Sequence, residues 1–205
     1  KKNAVKEEIR LPWEDRKNII VSMGREDDVK GFWHLLKSFS LVQKEITDAK
    51  LMIIGEGEFE EYRTLAKELG VADEVYFTGM KKYPFPYLHE ARVYVLTSYN
   101  EGFPNALVEA MALGIPVIAT DCLTGPGEIL RKGDSSYGVL IPNMSPVKNL
   151  KPSEISEEEK RLADEIKRML TDREYHETYK KASAARAGDF SNAGYVERIR
   201  KWIGK

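Results

Sequence analysis

Short apolar runs recur along the chain, and each is followed by a polar or glycine-bearing turn. The runs are three to six residues long and rich in Val, Ile and Leu, which is typical of strands buried on both faces. We predict six such strands: Asn18–Met23, Leu51–Ile54, Val75–Phe77, Val93–Leu96, Val117–Thr120 and Gly138–Ile141.

Between and after these strands, apolar residues recur at three- and four-residue spacing, which predicts amphipathic helices. Gly70 is a natural stop for one helix, and Ser156 with Glu159 predicts a capping box at the start of another. The predicted helices are Phe32–Lys44, Glu58–Leu69, Pro84–Glu90, Asn105–Leu113, a helix opened by Gly125, Ser156–Leu170, Arg173–Ala187 and Ser191–Ile203. This alternation predicts an α/β fold: a Rossmann-like open parallel sheet of about six strands with helices on both faces.

The amino-acid composition limits the possible partners and cellular location of the protein. The 205 residues are 42% hydrophobic and 32% charged, with a net charge of −1, so nothing in the balance points to a nucleic-acid partner. The single cysteine, Cys122, lies in an apolar stretch and cannot form an internal disulfide, which fits a reducing cytoplasm. No apolar run approaches the roughly 18–20 residues of a membrane span, so we expect a cytoplasmic protein whose membrane contact, if any, is peripheral at the inner face.

The first residues predict a piece of a longer protein. The chain opens with Lys1-Lys2-Asn3-Ala4, without an initiator methionine, and stays highly charged to Lys17. We interpret residues 1–17 as a connecting segment between domains and residues 18–205 as one domain with C-terminal helices.

Two glutamates distinguish the stretch Arg92–Leu130. Glu101 lies in the turn after a predicted strand, and Glu109 lies in the following helix, with seven residues between them. Apolar neighbours leave Glu109 little predicted access to water, and a buried carboxylate needs partners. Backbone N–H groups or an arginine would serve, and so would the adjacent hydroxyls of a polyol such as ribose.

The start of the same helix has the features of an anion site. Gly102 allows close backbone approach, and Pro104 suits the first position of a helix. The first N–H groups of that helix, at Asn105, Ala106 and Leu107, would favour a phosphate. Carboxylates that bind hydroxyls, placed beside N–H groups that bind phosphate, are typical of a pocket for a sugar nucleotide.

The run EGFPNALVE closely resembles the E-x7-E motif of retaining glycosyltransferases of the GT-B fold, in the large GT4-like family. The flanking segments EAMALGIPVIATDC and TGPGEIL resemble the same family. The likeness covers about residues 17–205 and implies the C-terminal, donor-binding half of such an enzyme, with the N-terminal acceptor domain absent.

The resemblance implies roles for individual residues. Arg25 and Lys30 would hold and stabilise the leaving diphosphate, although composition alone favours a solvated loop for them. Glu101 would hold donor-sugar hydroxyls with the backbone of Gly102 and Phe103, and Glu109 would bind the ribose. The implied catalytic residues are therefore Glu101, Arg25 and Lys30.

Further donor contacts are implied by the loops after the first three strands. The residues concerned are Gly24, Gly55, Gly57, Thr78, Gly79 and Met80. The Gly55-x-Gly57 pair is weak evidence for NAD, because Glu60 stands where a dinucleotide motif needs its third glycine. His34, His89 and His176 lack ligand spacing, so no metal or other cofactor is expected.

The TGP-x-EIL segment resembles a branch that builds surface polysaccharides, although Gly127 stands where that branch often has a basic residue. It implies a hexosyl- or N-acetylhexosaminyltransferase that uses a UDP-linked donor and a glycan or lipid-linked acceptor. Two alternatives remain open at this point: a sugar-nucleotide epimerase of similar build, and a non-catalytic subunit that binds nucleotide sugars.

Overall fold

A computed structural model describes residue 9 and residues 11–190 of the chain. Its main sheet contains β1 (Asn18–Met23), β2 (Ala49–Ile54), β3 (Val75–Phe77), β4 (Val93–Leu96), β5 (Val117–Asp121) and β8 (Val139–Pro142), and a hairpin contains β6 (Arg131–Lys132) and β7 (Ser135–Ser136). The α-helices are α1 (Phe32–Glu45), α2 (Glu60–Glu68), α3 (Phe85–His89), α4 (Asn105–Ala112), α5 (Pro126–Leu130), α6 (Glu157–Thr171) and α7 (Arg173–Ala187). Short 3₁₀ turns lie at Asp28–Lys30, Ala72–Glu74 and Gly188–Phe190.

The six-stranded sheet has the order β3-β2-β1-β4-β5-β8, and every neighbouring pair is parallel. The predicted α/β, Rossmann-like class is confirmed. The chain builds outward from β1 to β3 and then crosses to the other side of β1 to form β4. That reversal between β1 and β4 is the topological switch point, where open α/β sheets bind their ligands.

Successive strand residues point to opposite sides of the sheet, and both of its faces are buried. Ile20, Leu51 and Ile53 join a cluster on one face with apolar side chains of α1, α2 and α6. Ile19 and Val21 join a second cluster on the other face with side chains of α4 and α5. This double burial explains why the strands have continuous apolar sequences.

The first described residues also contribute to packing. Leu11 and Trp13 pack against the second cluster, and the Trp13 indole N–H donates to the carbonyl of Asp73 at 3.1 Å. No helix among the described residues has the length and apolarity needed to cross a membrane.

Several predicted element ends need correction. β2 begins at Ala49, two residues earlier than predicted, and α2 begins at Glu60, two residues later. The late start of α2 follows from Phe59, whose φ of 57° is left-handed and therefore outside a right-handed helix. The β6–β7 hairpin was not predicted, because two-residue strands are too short to show a periodic pattern. The predicted helix Ser191–Ile203 lies outside the described residues.

Other local predictions are confirmed. Gly70 follows the C-cap of α2 at φ 73°, and Ser156 and Glu159 form the capping box at the start of α6.

Candidate functional site

Loops after five parallel strands meet at the carboxyl edge of the sheet. At the switch point, the loop after β1 is joined to the loop after β4 by two hydrogen bonds. The backbone N–H of Tyr99 donates to the carbonyl of Val29 at 3.1 Å, and the Thr97 hydroxyl donates to the carbonyl of Lys30 at 2.9 Å. These bonds hold together two segments that are about seventy residues apart in sequence.

The central contact of this edge is the ion pair between Lys30 and Glu101. The Lys30 Nζ atom lies 2.7 Å from Glu101 Oε1, and the Ser98 hydroxyl donates to the same oxygen at 2.6 Å. The two charged side chains are only 21% and 12% exposed, so the pair is better shielded from solvent than a surface salt bridge. Among residues 11–190, both hydrogen bonds of the Glu101 carboxylate go to Oε1, and none reaches Oε2.

Local structure fixes the position of Lys30. The Asp27 side chain caps the turn Asp28–Lys30 by accepting from the N–H of Val29, and Gly31 ends it at φ 59°. A Cβ at Gly31 would lie 2.5 Å from the carbonyl oxygen of Thr97. Glycine therefore allows the turn that carries Lys30 to lie directly against the loop after β4.

The segment between Glu101 and α4 is held from the loop after β5. The Thr124 hydroxyl donates to the carbonyl of Glu101. Gly125 lies so close to this segment that a Cβ there would be 2.5 Å from the Gly102 oxygen and 2.8 Å from Pro104 Cδ. The loops after β4 and β5 therefore form one packed unit.

Helix α4 begins at this packed unit. Pro104 is the N-cap rather than the first helical residue as predicted, and it supplies no side-chain cap. The first-turn N–H groups of Asn105 and Ala106 therefore have no side-chain acceptor at the cap, and they carry the positive end of the helix dipole.

Glu109 is less buried than its apolar neighbours imply. Its side chain is half-buried on the second turn of α4, because one side of this short helix remains open to solvent. Tyr94 is fully buried on β4, and its hydroxyl is 3.5 Å from the carbonyl oxygen of Met23. Burial raises the pKa of Tyr94, and the negative charges of Glu101 and Glu109 raise it further. The two carboxylates thus act on one buried phenol at the switch point.

Arg25 is not part of the Lys30–Glu101 cluster. Its side chain is 74% exposed, and its guanidinium group lies 3.5 Å from the Asp27 carboxylate.

The loops after β1 and β2 also lie in contact. The Gly24 N–H donates to Ile54 O at 2.9 Å, and a Cβ at Gly55 would lie only 1.8 Å from the Gly24 oxygen. Glu26, which no sequence pattern distinguishes, accepts a hydrogen bond from the N–H of Phe59 at 2.8 Å, and its Cβ lies close to Gly57. The glycines of this pair of loops therefore serve close backbone approach.

Thr78, Gly79 and Met80 follow β3, the outermost strand on this side, two strand positions from β1. The Thr78 hydroxyl donates to the Gly79 carbonyl at 2.7 Å, and Met80 is 73% exposed. At a strand spacing of about 4.8 Å, this loop begins about 10 Å from the loop that carries Lys30.

Phe103 and Cys122 complete the surroundings of Glu101. The Phe103 ring is 51% exposed and meets the Phe190 ring edge-on at 5.8 Å. Cys122 is buried at the end of β5, its Sγ lies 3.4 Å from the Thr124 carbonyl, and burial raises the pKa of its thiol. Within the described part of the chain, no group of three His, Cys, Asp or Glu side chains is arranged to hold a metal ion.

The sequence points to Lys30, Glu101 and Glu109 but not to most of the residues that surround them, and the roles of the three stay predictions. Ser98 contacts Glu101 from only three residues away in the same loop. Thr124 lies 23 residues from Glu101, and Tyr94 is affected by both carboxylates from its position on β4, so nothing in their spacing along the chain marks these interactions.

Comparison with known proteins gives a consistent result. The family model described as "Glycosyl transferases group 1" matches residues 5–186. An uncharacterised glycosyltransferase of Methanocaldococcus jannaschii is 36% identical across 89% of this chain and 48% of its own length. A Campylobacter jejuni N-acetylgalactosamine-N,N'-diacetylbacillosaminyl-diphospho-undecaprenol 4-alpha-N-acetylgalactosaminyltransferase is 28% identical across 90% of this chain and 46% of its own length. The chain thus spans about half the length of these curated relatives.

The fold also has solved counterparts. The pneumococcal O-GlcNAc transferase GtfA, crystallised in complex with UDP and GlcNAc, superposes with a TM-score of 0.74 at 20% identity. That match covers 93% of this chain and 37% of the GtfA chain.

Proposed function

Because the chain belongs to the glycosyl transferases group 1 family, we propose that its carboxyl-edge site binds the nucleoside diphosphate sugar from which the complete protein transfers a sugar. Residues 18–205 act as the donor-binding domain, and residues 1–17 connect it to a preceding acceptor domain.

The observation that carries the proposal is the 2.7 Å contact between Lys30 and Glu101. In a nucleoside diphosphate sugar, the anomeric carbon is bonded directly to the diphosphate. A cation for the phosphate and a carboxylate for the sugar hydroxyls must therefore lie within a few ångströms of each other. Lysine provides a point charge for phosphate, and a carboxylate accepts hydrogen bonds from hydroxyls.

The state of Glu101 supports its assignment to the donor sugar. Lys30 and Ser98 fix one oxygen, and Oε2 remains able to accept from a sugar hydroxyl. The carboxylate is thereby oriented before the donor arrives, which lowers the entropy cost of binding. The backbone of Gly102 and Phe103 adds contacts to the same sugar.

Two further features attract the diphosphate. The N–H groups of Asn105 and Ala106 begin α4 and favour an anion, whereas the N–H of Leu107, also predicted as a phosphate ligand, donates to the Pro104 carbonyl at 3.0 Å. Arg25 adds a second cation, since its exposed 3.5 Å contact with Asp27 is weak enough for a diphosphate to replace it. Gly24 and Pro104 keep the neighbouring backbone compact.

The nucleoside extends from the diphosphate toward the remaining loops. Glu109, on the second turn of α4, accepts hydrogen bonds from the ribose hydroxyls. Gly55 and Gly57 border this path through their closely packed backbone, and Thr78, Gly79 and Met80 line the base at the β3 side of the edge.

In the proposed reaction, the sugar moves to the acceptor with retention at the anomeric carbon, and the nucleoside diphosphate leaves. Lys30 and Arg25 stabilise the negative charge that develops on the leaving diphosphate, which is an electrostatic role in the transition state. The proposed transfer depends on these charges and on the start of α4, without a metal ion or other cofactor.

The donor and acceptor classes are part of the same proposal. We propose a UDP-linked hexose or N-acetylhexosamine as donor, supported by the UDP bound to GtfA. The acceptor is a glycan or a lipid-linked glycan, supported by the diphospho-undecaprenol named for the Campylobacter relative. The complete protein then acts in surface polysaccharide synthesis, in the cytoplasm at the inner face of the membrane.

Calorimetric titration of the chain with UDP, GDP and NAD tests the proposal. We expect UDP to bind, and Lys30→Ala and Glu109→Ala each to weaken it by roughly tenfold or more, as for the loss of a hydrogen bond to a charged group. Lys160→Ala and Glu174→Ala, two exposed changes on α6 and α7, are the matched controls.

Each other outcome has a defined meaning. Binding of GDP in preference to UDP would keep the site and correct the base. Binding of NAD alone, or UDP binding that neither site variant changes, would refute the assignment. UDP binding by a protein whose complete form transfers no sugar would favour the non-catalytic subunit.

A further inference from the structure

A second polar pocket lies at the opposite edge of the sheet, away from the site described above. It has a volume of about 360 Å³ and is formed at the amino ends of β1, β4 and β5, with α3 and α7 at its sides. Its lining includes Lys17, Glu90, Arg92, Gly114, His176 and Lys180. Nothing in the proposed glycosyl transfer uses this edge.

The pocket carries an excess of positive charge. Lys17, Arg92 and Lys180 line it against one carboxylate, Glu90, which lies 3.5 Å from Arg16 outside the pocket. Outside the lining, Glu177 offsets part of the Lys180 charge at 3.8 Å. Such a concave site concentrates anions.

Two of the lining residues each have a buried polar atom with no hydrogen-bond partner among the described residues, Arg92 Nε and His176 Nδ1. His176 is only 5% exposed, and its Nε2 lies 3.1 Å from the Arg92 carbonyl oxygen. Nε2 therefore carries the hydrogen and donates it, so in the neutral ring Nδ1 presents a lone pair. The Glu177 carboxylate, 3.6 Å from Nδ1, also accepts and cannot satisfy that lone pair.

The neutral form of His176 is favoured by its surroundings. Burial lowers the pKa of His176, and the positive charge of Arg92 lowers it further. His89, Lys17 and Lys180 add polar or positive groups around the pocket. The site therefore combines an unpaired N–H donor, two ammonium groups and an unpaired acceptor, and a buried unpaired donor or acceptor is costly.

We propose that this pocket binds a phosphate group that carries a proton, either inorganic phosphate or the headgroup of a phosphomonoester. Arg92 Nε, Lys17 and Lys180 donate to the phosphate oxygens, and the P–OH group donates to His176 Nδ1. Sulfate has the same shape and charge but no hydrogen at neutral pH, so it would leave the His176 lone pair unsatisfied. The site should therefore prefer phosphate to sulfate.

Calorimetric titration with inorganic phosphate and with sulfate, at matched ionic strength and neutral pH, tests the proposal. We expect phosphate to bind at least tenfold more tightly than sulfate. Lys180→Gln, an exposed change, should weaken phosphate binding roughly threefold to tenfold, and Arg92→Lys, which keeps the charge but removes Nε, roughly tenfold or more. His176→Phe should abolish the preference for phosphate over sulfate, and thermal melting checks that each variant folds.

Lys160→Gln on α6 is the matched control for loss of one positive charge. Equal affinity for both anions, no phosphate binding, or equal weakening by Lys160→Gln and Lys180→Gln would overturn the proposal. If Arg92→Lys does not fold, Lys180→Gln still decides.

Vesicles distinguish the two sources of the phosphate group. Binding to phosphatidic acid vesicles but not to phosphatidylcholine vesicles, lost in Lys180→Gln, would assign the site to a lipid headgroup. Binding of inorganic phosphate, without binding to either kind of vesicle, would assign the site to a small soluble ligand. The UDP titration tests the proposed function independently of the phosphate and vesicle experiments, because Lys180 lies at the opposite edge of the sheet from Lys30.

Discussion

At the scale of single residues, the site depends on positions where a side chain cannot be accommodated. Gly125 has φ 88° and ψ −81°, a backbone conformation that a residue with a Cβ avoids, and it also touches the Gly102 carbonyl and Pro104. Gly70 has a similar φ of 73°, but a Cβ there would meet nothing within 4 Å. Substitution at these two glycines therefore distinguishes the cost of backbone strain from the cost of displacing neighbouring atoms.

Replacement of each glycine by alanine should give different results. Gly70→Ala should lower the free energy of unfolding by about 1–2 kcal/mol, the cost of the left-handed conformation. Gly125→Ala should cost more, because it also displaces the segment between Glu101 and α4, and it should weaken UDP binding. Denaturant unfolding and calorimetry measure both effects. Equal losses of stability, with unchanged UDP binding in both variants, would contradict the described packing.

His176 predicts a pH dependence of stability. Its pKa in the folded protein lies below the ordinary value of 6.5, because burial and Arg92 disfavour the charged ring. The unfolded chain therefore binds a proton that the folded chain does not, so the free energy of unfolding falls as the pH drops below about 6.5.

Comparison with His176→Gln isolates this effect. Between pH 7 and pH 5, the wild-type free energy of unfolding should fall faster than that of the variant, with a difference of at most about 1.4 kcal/mol per pH unit, the limit for one proton. Urea unfolding in a phosphate-free buffer is the measurement. Parallel curves would show that His176 does not titrate differently in the two states.

At the scale of elements, the start of α6 combines a cap with a tertiary contact. Ser156 Oγ accepts from the Glu159 N–H at 3.2 Å, and the Ser156 N–H donates to Glu159 Oε2 at 2.8 Å. The other oxygen of the same carboxylate lies 2.7 Å from His34 Nδ1 on α1. Glu159 therefore closes the helix end and ties α6 to α1.

Two substitutions separate these functions. Ser156→Ala should cost about 1 kcal/mol, as for other N-cap removals. Glu159→Ala should cost about 1–3 kcal/mol more, because it also leaves the buried Nδ1 atom of His34 without its carboxylate partner. Denaturant unfolding of the two single variants and the double variant tests this. Equal costs for the two single changes would show that the His34 contact adds nothing.

Local sequence patterns predict most of the helices and strands, because nearby residues determine where these elements form. The limits of β1, β3, β4 and α7 agree with the prediction, and so does the stop at Gly70. The family prediction made from the EGFPNALVE run is also confirmed. By contrast, the left-handed Phe59 and the β6–β7 hairpin depend on single residues and tertiary packing, which leave no periodic signal.

The site was predictable in its residue types but not in its geometry. The sequence predicts Lys30 as a phosphate ligand and, separately, Glu101 as a sugar ligand, and these roles stay predictions. Their contact crosses 71 residues of sequence and depends on the neighbouring positions of β1 and β4. The prediction that Glu109 is buried is wrong, since its side chain is half-buried. Apolar neighbours in a short helix do not determine which side faces solvent.

At the scale of the whole molecule, the sheet separates two apolar clusters. Leu162 on α6 belongs to one, and Met111 on α4 belongs to the other. Both side chains are fully buried. They lie in different clusters on opposite faces of the sheet, so their contributions to stability should be independent.

Leu162→Ala and Met111→Ala should each cost about 2–5 kcal/mol of unfolding free energy. The double variant should lose the sum within about 0.5 kcal/mol, provided that unfolding remains a single transition. Denaturant unfolding followed by fluorescence and by circular dichroism gives both the energies and the cooperativity. A strongly non-additive result would show that the two faces are mechanically coupled through the strands.

The burial of Cys122 has a practical consequence for spectroscopy. Its thiol is the only one in the sequence, it is shielded from solvent, and its raised pKa keeps the reactive thiolate scarce. Leu123, the next residue, is 95% exposed. A cysteine introduced at that position should react with a maleimide dye long before Cys122 does. The natural sequence is therefore already suited to attaching one fluorophore beside Glu101, where its emission could report occupancy of the edge in real time.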